Sequence, residues 1–137
     1  MKLIFLLTAL LAVTMPALPV AAAEPIDASE RETRPVPPQP IQATFDALMK
    51  AIANNDRAAF IAQGDEEFKA ITPEVVARVH AQLAPRLAKG MSVLYLGEIK
   101  QKGYRVDLWK LSFGDDGDDW LASLSTKKGV VGGFFLR

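Results

Sequence analysis

Apolar and polar positions fall into four regimes along the chain. Leu3 to Val13 is apolar apart from Thr8, and small residues follow up to Ala21-Ala22-Ala23. Glu24 to Pro40 is poor in apolar side chains, with only Ala28, Ile26 and Val36. From Ile41 the apolar positions recur with helical spacing, and from Met91 they alternate as strands do.

The first regime, opened by Lys2, has the order of charge, apolar run and Ala-x-Ala end that a secretion machine and its peptidase read. The uncharged stretch from Leu3 to Ala23 is 21 residues, long enough to span a bilayer. Pro16 and Pro19 interrupt its second half, so residues 1–23 are expected to be a cleavable signal peptide rather than an anchor. Residues 24–40 hold five prolines and six charged residues in 17 positions. Too little apolar surface is present to offset chain entropy, and a flexible tether is expected.

The folded domain is expected over 41–137. Ile41, Phe45, Leu48, Met49 and Ile52 stand at i, i+4, i+7, i+8 and i+11, one stripe of an amphipathic helix. Asn54-Asn55 ends it, and Asp56 is placed to cap a short helix carrying Ala59, Phe60 and Ile61. After Gly64, Asp65-Glu66-Glu67-Phe68 suits an acidic first helical turn. Thr72-Pro73-Glu74 gives a cap hydroxyl, a proline at the first helical position and an acid in the first turn. Val76, Val79, Leu83 and Leu87 then form one face; Pro85 predicts a kink or restart near Ala84, and Lys89-Gly90 a stop.

Four strand-like runs follow, at about 91–99, 103–113, 119–126 and 130–136, separated by short turn-like segments. Short turns force antiparallel hairpins. The fold class is therefore α+β, with N-terminal helices packed on a curved four-stranded antiparallel sheet.

Charge and composition narrow the partners. Loss of Lys2 with the signal leaves 15 basic against 16 acidic residues, a net charge of −1. Near-neutrality speaks against a nucleic-acid partner and against a polybasic membrane contact, and no stable membrane anchor is expected once the signal is cleaved. With no cysteine in the chain, disulfides, a lipid-modified cysteine, thiolate metal sites and iron–sulfur clusters are excluded. No cofactor is expected. Asp115, Asp116, Asp118 and Asp119 crowd one turn, but lack the alternate ligands and distant glutamate of a calcium loop. A solvated hairpin tip is the expectation there, and no metal.

Phe45-x-x-Leu48-x-x-x-Ile52-x-x-Asn55-Asp56-x-x-x-Phe60, followed by short helices and a terminal antiparallel sheet, resembles the NTF2-like superfamily, and within it small exported bacterial members with a cystatin-like roll. The resemblance spans about 41–137 and rests mostly on core positions. It implies a pocket between helices and sheet, and dimerisation through the other sheet face. No acid–base carboxylate of its enzymatic members has a matching pattern here.

Six side chains are candidates for a ligand site: His80, Tyr95, Arg105, Asp107, Trp120 and Phe134. His80 is the one histidine, beside an apolar stripe, with the chemistry of a base or the packing of a core-edge residue. Tyr104, Val106, Leu108, Lys110 and Ser112 point one way along the second strand; Arg105, Asp107, Trp109, Leu111 and Phe113 point the other. Arg105 and Asp107 share a face, as an ion pair or as orienters of a polar ligand. Tyr95, Trp120 and Phe134 line a pocket or simply pack. A strand apolar on both sides is covered twice or meets a partner, so a homodimer through the sheet is expected. Gly132-Gly133 marks a bulge or bend.

The function expected is an exported, non-catalytic module that binds a small apolar ligand or a protein partner, in a Gram-negative periplasm rather than the medium. The alternative is a small pocket enzyme, an isomerase or hydrolase, with His80 or Asp107 moving the proton. A third is an enzyme inhibitor presenting the loop Gly114 to Asp118.

Overall fold

The computed structural model describes residues 34–137. The expected signal peptide, and the tether up to residue 33, lie outside the described residues. Four helices come first: α1 (Gln39–Ala53), α2 (Arg57–Ile61), α3 (Glu66–Lys69) and α4 (Pro73–Leu87). Four strands follow: β1 (Met91–Gln101), β2 (Tyr104–Phe113), β3 (Trp120–Lys127) and β4 (Val130–Leu136). All neighbours are antiparallel and the sheet order is β1-β2-β3-β4. The architecture is α+β, helices then a meander, with strand limits within two residues of those expected.

Helix α1 takes in Gln39 and Pro40, two residues ahead of the expected start. A proline in the first turn has no intrahelical hydrogen bond to lose, and Ile41 N–H closes on the Pro38 carbonyl at 2.9 Å. Its buried stripe is Phe45, Leu48, Met49, Ala51 and Ile52. Asn55 turns the chain at positive φ, and Asp56 caps α2 by accepting from Ala59 N–H at 3.0 Å. Asp65 is itself the cap of α3, accepting from Phe68 N–H at 2.8 Å. Thr72 makes no side-chain cap bond to α4. The Glu74 carboxyl is held below its ordinary value, first by its own backbone N–H and then by the Thr72 hydroxyl. Nor does Pro85 break α4, which runs unbroken to Leu87. The proline sits in the last turn, so the missing donor leaves only the Ala81 carbonyl short and few bonds remain to be disturbed.

The core lies between α1, α4 and one face of the sheet. Phe45 stacks on Trp109 with centroids 4.3 Å apart, and Phe134 meets Phe45 and Phe60 edge-on at 6.1 and 6.2 Å. Trp109, Leu111, Ala122, Leu124 and Val131 are fully buried beneath them. The free edge of β4 is partly closed by the chain before α3: Asp65 N–H donates to Val131 O, and Val131 N–H to Gln63 O.

A bulge in β1 positions the site. The register with β2 shifts between Tyr95 and Gly97, leaving Leu96 extra, and Gly97 has φ 128. Tyr95 pairs with Trp109 and Glu98 with Asp107, so residues three apart face the same side. Strict alternation would have turned Glu98 away.

Candidate functional site

Alternation along β2 places Arg105 and Asp107 on the helix-side face, and the β1 bulge adds Tyr95 and Glu98. The Asp107 side chain is 0% exposed. A buried carboxylate without partners is costly, and here three donors reach the two oxygens, two at Oδ1 and one at Oδ2. Arg105 donates from Nε to Asp107 Oδ2 at 2.8 Å and from NH2 to Oδ1 at 2.9 Å. The Tyr95 hydroxyl donates to Oδ1 at 2.6 Å. Arg105 also pairs through NH1 with Glu98. The bidentate fork fixes the guanidinium plane.

These contacts act on protonation. Burial, and then the hydrogen bond to Asp107, push the Tyr95 phenol up from its ordinary 10.0 to about 12. A raised phenol favours the neutral form in the folded state. Its contribution to stability is complete below pH 10.0 and is lost as pH rises through about 12. Arg105 is raised further above its ordinary value, first by the hydrogen bond to Asp107. Acceptor and donors are thus locked together, which suits a rigid wall better than proton traffic.

The other three candidates do not join this group. His80 on α4 sets Nδ1 2.9 Å from the Ile52 carbonyl, stapling α4 to α1. Phe134 belongs to the aromatic core and lines an apolar cavity of about 60 Å³ with Ile52, Phe60, Ile71, Val76 and Leu136. Trp120 packs edge-on against Phe113 at 5.5 Å, at the far end of the sheet.

Sequence reasoning missed Arg86. It reaches from α4 to the loop after β2, holding Asp115 through Nε to Oδ2 and NH2 to Oδ1, both 2.8 Å, and the Asp118 carbonyl at 2.7 Å. Its guanidinium lies 4.0 Å over the Phe113 ring. Arg86 holds the Asp115 carboxyl down at about 2, and the loop is tied rather than presented. The tip is exposed at Asp116, Asp118 and Asp119 as expected, while Asp115 is a structural partner, because a long loop needs a side chain to hold it. No group of three or more histidines or carboxylates stands together as metal ligands among the described residues.

On the outer face, glycines permit a close approach. A Cβ on Gly132 would come 2.5 Å from the Tyr104 ring, and one on Gly133 would come 3.0 Å from Phe135. Tyr104, Val106 and Phe135 wall a groove of about 300 Å³ over those glycines, rimmed by Glu67 and Lys102. At the turn end of the sheet a second cleft, of about 380 Å³, is lined by Lys100, Arg105, Lys127 and Lys128.

No protein-family model matches the chain, and no curated protein matches it. Among solved structures, an uncharacterized cystatin fold protein from Novosphingobium aromaticivorans is similar over 69% of this chain and 95% of that chain, with 13% identity and a TM-score of 0.37. So loose a likeness carries no argument about the site, and the α+β architecture stands on the elements described above.

Proposed function

We propose that this chain is an exported, non-catalytic binding module of the NTF2-like kind, working in a Gram-negative periplasm, whose binding surface is the outer face of the sheet. The observation that carries this is Phe135, 61% exposed on a glycine floor. Leu94, Ile99 and Val130 are exposed on the same face, beside half-buried Leu108 and Leu121. Exposed apolar side chains gathered on one sheet face, with Lys110 and Lys127 among them, mark an interaction surface. The cavity between helices and sheet, about 60 Å³, is far below the volume of ordinary ligand pockets, roughly 300–1,000 Å³. A protein partner is therefore better supported than a small apolar ligand in that space.

The first partner is a second copy of the chain. A two-fold contact needs only one self-complementary patch, and the outer face offers one. The enzyme alternative has less support. Asp107 is enclosed and accepts three hydrogen bonds, and His80 engages a backbone carbonyl with no carboxylate paired to it among the described residues.

Native mass spectrometry and light scattering on the exported protein test this. A dimer is expected at micromolar concentration, and Phe135→Glu should give a monomer with unchanged melting. A wild-type monomer carrying a small molecule released on denaturation would shift the reading to the ligand groove. A bare monomer would overturn it.

A further inference from the structure

We propose that the cleft between the two lysine-bearing turns at one end of the sheet binds a phosphate-bearing ligand. Both turns are two-residue hairpin loops with positive φ at each central residue: Lys102 at 51 and Gly103 at 81, Lys128 at 52 and Gly129 at 78. That geometry favours asparagine, aspartate or glycine at its first position. Lysine stands there twice, in a backbone conformation that a long side chain enters at a cost. Such strain kept at two neighbouring turns points to a use for the side chain.

The meander sets the two turns side by side, because β2 and β3 are paired from Arg105↔Thr126 onward. Lys100, Lys127 and Lys128 then share one cleft of about 380 Å³ with Arg105, while Lys102 stands on the adjoining turn. None of these four lysines makes an ion pair among the described residues. Arg105 is held by Asp107 through Nε and NH2 and by Glu98 through NH1, and NH1 keeps a second N–H to donate. A fixed planar donor with exposed lysines beside it suits a tetrahedral dianion, whose three free oxygens accept from several cations together. The cleft has room for the phosphate and the group that bears it.

The chemistry is that of phosphate, whether on a free solute or on a lipid headgroup, and the test separates the two. Nitrogen-15 spectra of the full exported chain are titrated with inorganic pyrophosphate, and in parallel the chain is sedimented with phosphatidylglycerol vesicles. Saturable shifts confined to residues 100–105 and 126–129, weakening as salt is added, are expected with pyrophosphate. Lys100→Gln with Lys128→Gln should weaken binding at least about tenfold. Lys50→Gln with Lys89→Gln, on other surfaces, should leave it unchanged. Binding to vesicles without pyrophosphate binding, lost in the same double variant, would assign the phosphate to a headgroup. Shifts spread evenly over lysines elsewhere, binding retained by Lys100→Gln/Lys128→Gln, or no binding in either arm would overturn the proposal.

Discussion

The two ends of the sheet carry opposite charge and treat it differently. At the β2–β3 end four aspartates crowd one loop, and the chain holds two of their side chains: Arg86 takes Asp115 and Lys110 reaches Asp119 at 3.4 Å, while Gly114 N–H bonds the Gly90 carbonyl. At the other end Lys100, Lys102, Lys127 and Lys128 are left without acidic partners. Loop length explains the difference. A long loop cannot hold its own backbone and draws on side chains, whereas a two-residue hairpin closes through its strand ladder. Charge at a long loop is partly consumed by structure, as at Asp115 and Asp119; charge at a tight turn stays available to a ligand.

Arg105 is where that contrast is easiest to break, because it belongs to the lysine end yet serves structure. Arg105→Ala leaves the Asp107 carboxylate buried with Tyr95 as its remaining donor. Removing one member of a buried pair costs about 3 kcal/mol at the low end of the usual range, which applies because Arg105 is itself 35% exposed. Denaturant unfolding should show that loss as a shifted midpoint with an unchanged slope. A loss near zero would mean that Asp107 reaches water, and the distinction between the two ends would blur.

The aspartate end gives a smaller effect, read through pH. Asp115 is held at about 2 by Arg86, against an ordinary 3.8. A depressed carboxyl stabilises the fold above the unfolded value and ceases to do so as pH falls through the folded one. Stability should therefore fall between pH 3.8 and about 2 in the parent protein. Asp115→Asn should be less stable at neutral pH and lose that step of its acid profile. An unchanged acid limb, followed by circular dichroism, would show the loop to be untied in solution.

Much of this was legible along the chain. Period alone marks the stripe from Phe45 to Ile52 and the alternation of β2, so the helices, the meander and the shared face of Arg105 and Asp107 follow directly. Tyr95 and Glu98 could not be joined to that pair, since the bulge at Leu96 shifts the phase of β1 by one residue and no local pattern announces it. Arg86 and Asp115 are 29 positions apart, and their bond depends on how α4 lies across the sheet end. The lysine cleft was hidden for a different reason. A whole-chain charge near zero averages away local segregation, and only the strand order sets residues 100–105 beside 126–129. Gly132 had a visible signal, two glycines in a strand, but not its cause, the Tyr104 ring resting on it.

The smallest effect is the most specific to the comparison. If the lysines of the turn end hold nothing within the fold, Lys127→Gln with Lys128→Gln should change stability by no more than about 0.5 kcal/mol. The sign should be favourable at low salt, because four like charges repel across neighbouring turns. The gain should fade as added salt shortens the Debye length to about 8 Å or less. Thermal melts at several ionic strengths check this. A clear destabilisation that salt does not alter would mean the lysine stems pack structurally, as Lys127 begins to do 5.7 Å from the centre of the Tyr104 ring. In that case the turn end would resemble the aspartate end after all, its charges bound to the fold and not free for a ligand.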